Sequence, residues 1–145
     1  MFKHILVPVD GSNTSQTAVG KAISLAKAFG SQVTVIYVID PYPFTGVGTD
    51  FAYGQAEYLS AATAEAHAAV KSAKDAFAIA VVDVDSSVIE SHSVWRGIVE
   101  AGSSLEADLI VMGSHGRSGL EKLVLGSVAQ AVLSHTKLPV LVVRD

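Results

Sequence analysis

The chain has 145 residues, half of them apolar, 17% charged and none of them cysteine. A length of this order suits one domain, which buries about 70% of the surface its unfolded chain would expose. The lack of cysteine removes disulfides, thiolate nucleophiles and cysteine metal sites, and the formal charge of −4 argues against a broad nucleic-acid surface, which needs a basic stripe to displace counterions.

No apolar run approaches the roughly 18 residues of a membrane span. The opening Met1-Phe2-Lys3-His4-Ile5 passes straight into a strand pattern, so neither a signal nor a transit peptide is expected and the default compartment is the cytoplasm. The first apolar, β-branched run is His4–Val9. Pro8 removes a ladder donor there and is expected at the strand's C-terminal end. A helical pattern over Thr14–Phe29 follows, with Ala18, Ala22, Ile23, Ala26 and Phe29 on one face, Ser12 or Asn13 able to cap its start and Gly30 placed to end it.

Gln32–Ile39 is the second strand pattern. Between Pro41 and Gln55 the chain reads as a loop, longer than most connections in compact domains, and is expected to be a flap over the site or a partner contact. An alanine-rich helix is predicted over Glu57–Phe77, with Leu59, Ala62, Ala66, Ala69, Val70, Ala73 and Phe77 keeping the period. The third strand pattern is Asp83–Glu90, where Asp83 and Asp85 alternate as one solvated face. Helix Val94–Leu105, strand Leu109–Met112, helix Ser127–His135 and strand Val140–Val143 complete the chain, with Phe77 and Trp95 expected in the core.

This alternation predicts one α/β domain over residues 1–145, a doubly wound, Rossmann-like, five-stranded parallel sheet with helices on both faces. In such sheets ligands collect beyond the carboxyl ends of the strands, where strand order reverses. The turns at Asp10-Gly11-Ser12, at Val38-Ile39-Asp40 and at Met112-Gly113 should therefore border one pocket. Asp10 is placed to accept from a ribose hydroxyl or to reach a metal on phosphates. The histidines show no metal-ligand spacing such as His-Glu-x-x-His, which argues against zinc.

The richest motif runs from Gly113-Ser114-His115-Gly116 to Gly126-Ser127. Glycines at the first two positions are expected to take φ > 0 and let backbone approach an anion, while Gly126 and Ser127 open a helix whose N–H groups favour negative charge. Gly, two residues, Gly, nine residues, Gly, Ser arises by chance in roughly one per cent of chains this long. The spacing resembles the nucleotide-binding motif of the universal stress protein family, and the opening Phe2–Ser12 and closing Leu138–Arg144 segments are similar to that family as well.

The resemblance implies strand order 3-2-1-4-5 and an ATP or AMP ligand, with Mg or Mn on the phosphates. It implies that Asp10 contacts ribose or metal, that Val38 holds the adenine edge through its backbone, and that Gly113, Gly116, Gly126 and Ser127 hold phosphates. Pro8, Val9, Gly11, Ser12 and Met112 belong to the same turns, His115 and Arg117 sit inside the loop where either could supply positive charge or simply face solvent, and Val128 adds an N–H. His92 stands where members often carry glycine, so it either narrows the pocket mouth or contacts ligand.

A kinase-type phosphate loop would place lysine after its last glycine, yet Ser127 follows Gly126 directly, and no Gly-x-Ser-x-Gly elbow is present. The leading expectation is thus a nucleotide-dependent regulator with no dedicated catalysis, whose 41–55 loop responds to the ligand. The alternatives are a slow ATP hydrolase or nucleotidyl-transferring enzyme, a dimeric scaffold that binds no nucleotide, and a cyclic-nucleotide binder. In the order implied by the family, Pro139–Val143 is an apolar edge strand, which predicts a homodimer through it. An unidentified protein partner is expected, and neither nucleic acid nor membrane.

Overall fold

A computed structural model describes residues 1–41, 49–116 and 125–144, with the side chains of 49–53 and 55 outside that description. Elements alternate as β1 (His4–Pro8), α1 (Asn13–Phe29), β2 (Gln32–Ile39), α2 (Thr49–Ile79), β3 (Val84–Glu90), α3 (Val94–Ser104), β4 (Leu109–Gly113), α4 (Ser127–His135) and β5 (Val140–Val143). All pairings are parallel and the order is β3-β2-β1-β4-β5. The doubly wound sheet expected from the sequence is the sheet observed.

Strand alternation divides the core between two layers. Ile5 and Val7 of β1 and Val33 and Val35 of β2 pack with α1 and α2, while Leu6, Ile36 and Ile110 pack with α3 and α4. Each fully buried large apolar side chain contributes about 1.5–3 kcal/mol relative to exposure. Along α2, Ala66, Val70, Ala73 and Phe77 are buried at helical spacing, so small residues let the helix lie close on the sheet. Asp83 and Asp85 are exposed, as the alternation implied.

Pro8 shapes the sheet where the function is expected. Val9 N donates to Ile36 O at 2.8 Å, so odd-numbered residues of β1 face β2, whereas Asp108 N donates to His4 O at 2.9 Å and even-numbered ones face β4. The missing N–H of Pro8 therefore points at β4. Register between β1 and β4 ends at Leu6 opposite Ile110, while β1 stays paired with β2 through Pro8 opposite Ile36. The strands part at the point where strand order reverses.

Three expectations need correction. The predicted 41–55 loop overlaps α2, which starts at Thr49; no proline follows Pro43 before it, so the helical pattern extends two turns further back. Residues 42–48 lie outside the described residues. At its other end α2 runs past Phe77 to Ile79 and is closed by Val82 N on Phe77 O (2.9 Å) and Val81 N on Ala78 O (3.0 Å), with Val81 at φ 59° in the place that glycine usually takes. Trp95 is half-buried rather than internal, stacked on His135 with ring centroids 4.1 Å apart. Gly30 ends α1 in the left-handed conformation as expected, and Ser12 rather than Asn13 caps its start.

Candidate functional site

Beyond the carboxyl ends of β1, β2 and β4 lies a cavity of about 490 Å³. Of the residues singled out in the sequence, Pro8, Val9, Asp10 and Ser12 line it from the first turn. Val38 lines it from β2, and Met112, Gly113, His115 and Gly116 from the end of β4. Gly126, Ser127 and Val128 complete the wall at the start of α4.

Gly11 departs from this set. Its φ of +82° turns it toward α2, where a Cβ would meet Ala69 at 3.9 Å, and it lines a neighbouring groove between α1 and α2 instead. Arg117 lies outside the described residues. His92 is exposed and forms no part of the cavity wall.

The first turn is held by local bonds. Asp10 Oδ1 accepts from Ser12 N at 2.9 Å, and Ser12 Oγ accepts from Ser15 N at 3.3 Å, capping α1. Asp10 N donates to Ser15 Oγ at 3.3 Å. The aspartate thus serves as a turn residue through one oxygen while the other, Oδ2, lies against Gly116.

Glycines of the motif serve proximity, not left-handed backbone. Among the described residues only Gly11 and Gly30 are glycines with positive φ, which corrects the expectation for Gly113 and Gly116. A Cβ on Gly113 would stand 2.6 Å from Thr14 Oγ1 and 2.8 Å from Thr14 Cβ, so the start of α1 seats directly on the end of β4. Thr14 Oγ1 then donates to the carbonyl of His115. A Cβ on Gly116 would stand 2.8 Å from Asp10 Oδ2. Gly126 N donates to Ser114 O at 2.7 Å, bringing the two ends of the glycine motif together at its base.

This closure aims α4 at the cavity. Gly126 occupies the N-cap position of α4, whose nine residues begin at Ser127, and among the described residues no side chain caps the helix there. The first N–H groups of such a helix and its dipole favour an anion. Ser114 is buried, its N–H held by Val143 O at 2.8 Å and its Oγ by His115 Nδ1 at 3.1 Å. His115 is thereby oriented at the cavity wall.

Sequence reasoning missed Ser15, Tyr37, Val94, Ile98 and Ala129, which also line the cavity. Val94 and Ile98 are one helical turn apart on α3, so their shared face was readable in the pattern. Which cavity that face borders was not. Among the described residues no group of three or more His, Cys, Asp or Glu side chains is placed to hold a metal ion, and no helix is long and apolar enough to cross a membrane.

A parallel α/β sheet with a cavity and a helix start at its switch point defines the class: a Rossmann-like α/β protein. The chain belongs to the universal stress protein family, whose sequence profile matches residues 1–144. It is 38% identical over 145 residues to a universal stress protein of Methanocaldococcus jannaschii, covering 99% of this chain and 83% of that one. It is similar in structure to universal stress protein UspA from Lactobacillus plantarum, with a TM-score of 0.85 and 27% identity, covering 98% of this chain and 97% of that chain. A universal stress protein crystallised in complex with cAMP is also similar, with a TM-score of 0.70 and 25% identity over 99% of this chain and 97% of that chain.

Proposed function

We propose that this chain is an adenine-nucleotide-binding regulator in which occupancy by ATP or AMP, rather than chemistry, is the output. The observation that carries the reading is the convergence of an uncapped α4 start, the backbone at Gly116 and Gly126, and Asp10 on one cavity. The cAMP complex of a relative supports an adenine ligand. In this reading Val38 holds the base through its backbone, Asp10 takes the ribose or a Mg or Mn ion, and the N–H groups at Gly126, Ser127 and Val128 take phosphate. His115 offers a ring nitrogen from the cavity wall, and Arg117 is the candidate positive charge that the sequence sets in the same motif.

A single carboxylate suits a divalent ion that draws its remaining ligands from phosphates and water, which is the habit of magnesium. The ion would neutralise phosphate charge beside Asp10. Val140–Val143 is the edge of the sheet, with Leu141 exposed, and supports a homodimer paired through that strand. The regulator acts as one domain in the cytoplasm and shows its ligand-dependent surface to a protein partner.

Calorimetric titration of nucleotide-stripped protein with ATP, AMP and cAMP, with and without magnesium, tests the reading beside Gly116→Val. The substituted side chain would displace the Asp10 carboxylate, which among the described residues is the one group within 3 Å of a Cβ there. Saturable binding that the variant loses is the expected result. Absence of heat for every nucleotide would leave a dimeric scaffold, and nucleotide turnover above the variant's level would mark an enzyme.

A further inference from the structure

Gly97 is a buried glycine in the middle of α3, where the backbone does not ask for one. Its φ is not positive, and glycine is among the poorest helix formers. Space explains it. A Cβ built at Gly97 would stand 2.8 Å from Val38 Cγ1, 3.2 Å from Val38 Cγ2 and 3.2 Å from Ser91 Cβ. The contrast is Gly20 in α1, where a Cβ would meet nothing within 4 Å among the described residues outside its own helix backbone.

Val38 cannot step aside freely. It is 8% exposed, β-branched and set in β2 opposite Ile89 of β3, and such a side chain keeps few χ1 positions. Ser91 is tied to the same strand by its N–H on Ile39 O at 2.9 Å. On α3, Val94 and Ile98 flank Gly97 and form cavity wall, as does Val38 from the sheet. The distance between that helix and that strand is therefore the depth of one end of the cavity. Gly116, Gly126 and Ser127 line the cavity from between β4 and the start of α4, and β4 lies two strands away from β2 in the sheet.

We infer that Gly97 is a specificity-determining residue that sets the depth of the base-holding end of the cavity by letting α3 rest on the Val38 side chain. The inference rests on the nucleotide reading above. A methyl group at position 97 forces α3 outward with Val94 and Ile98, or turns Val38 into the space for the base. Either change acts on the base and leaves the phosphate end as it was.

The test is calorimetric titration of wild type, Gly97→Ala, Val38→Ala and the double variant with two probes, adenosine for the base end and inorganic tripolyphosphate for the phosphate end. Gly97→Ala is expected to bind adenosine about tenfold or more weakly, the scale of one methyl group misplaced in an apolar pocket. Its tripolyphosphate binding should stay within about twofold of wild type, and removal of the colliding methyls in Val38→Ala/Gly97→Ala should restore adenosine binding. Should Gly97→Ala alone not fold, the double variant is compared with Val38→Ala. The added methyl then refills vacated space, and adenosine must bind the double variant at least as tightly.

Unchanged adenosine affinity in Gly97→Ala, an equal loss of both probes, or a double variant weaker than Val38→Ala overturns the inference. Wild type that binds neither adenosine nor any adenine nucleotide overturns the nucleotide reading and this inference with it.

Discussion

Replacing Gly126 by alanine puts the closure of the glycine motif to a direct test. The new Cβ would stand 2.9 Å from His115 Cα, 3.0 Å from Ser114 O and 3.2 Å from His115 Cβ. Ordinary carbon contacts are about 3.5–4.0 Å, and the first two atoms are backbone, so no rotamer change relieves them. Parting the segments stretches the 2.7 Å bond from Gly126 N to Ser114 O. Overpacking costs about 1–3 kcal/mol and a lost hydrogen bond about 1 kcal/mol, while the reduced entropy of the unfolded chain returns about 0.4–1 kcal/mol. The net loss is about 1–3.5 kcal/mol, which lowers a urea midpoint by about 1–2 M at a typical slope. Gly116→Ala is the contrast: among the described residues it meets only the Asp10 carboxylate, at 2.8 Å, so its midpoint should stay near wild type. Equilibrium urea unfolding of both variants decides the matter, and a Gly126→Ala midpoint equal to or above wild type would refute the steric account.

Three further outcomes are expected. Burial raises the Asp108 carboxyl, but the Lys3 and His4 N–H groups donating to it, at 2.9 and 3.0 Å, outweigh that and hold it below its ordinary value. With the folded value below the unfolded one, its stabilisation is present above the unfolded carboxylate value and disappears as pH falls through the folded one; urea midpoints measured down to about pH 2 should lose that part of the acid dependence in Asp108→Asn. Ser12→Ala removes the α1 cap and should cost about 0.5–1 kcal/mol, the low end because the bond to Ser15 N is 3.3 Å, seen as a fall of about 2–4 °C in melting temperature. The proposed edge-strand dimer predicts that the wild type sediments as a dimer and that Leu141→Lys, on the exposed face of β5, sediments as a monomer with little change in fold; a wild-type monomer or an unchanged sedimentation coefficient in the variant would remove it.

Much of the site was readable because turn chemistry is local. Asp10, Ser12, Gly126 and Ser127 announce a strand end, a cap and a helix start through residue types alone, and they border the same cavity. The glycine spacing identified a close-packed place but not what it packs against. Gly113 packs against Thr14 and Gly116 against Asp10, both from the other half of the chain, and neither glycine takes left-handed backbone to do so. Gly11 reads like its neighbours in sequence yet faces α2.

The sequence by itself determined the parallel sheet, since β-branched runs alternating with helical periods leave a chain few other ways to bury both faces. It also determined where strands hand over to helices, including Pro8, whose missing donor is a property of the residue. Tertiary structure alone decided that Pro8 faces β4 and so opens the switch point, that α2 ends on Val81 rather than on a glycine, and that Gly97 meets Val38. Each depends on contacts between segments far apart in the chain. Local propensity and period carry no term for such contacts, and packing supplies it only once the sheet has closed.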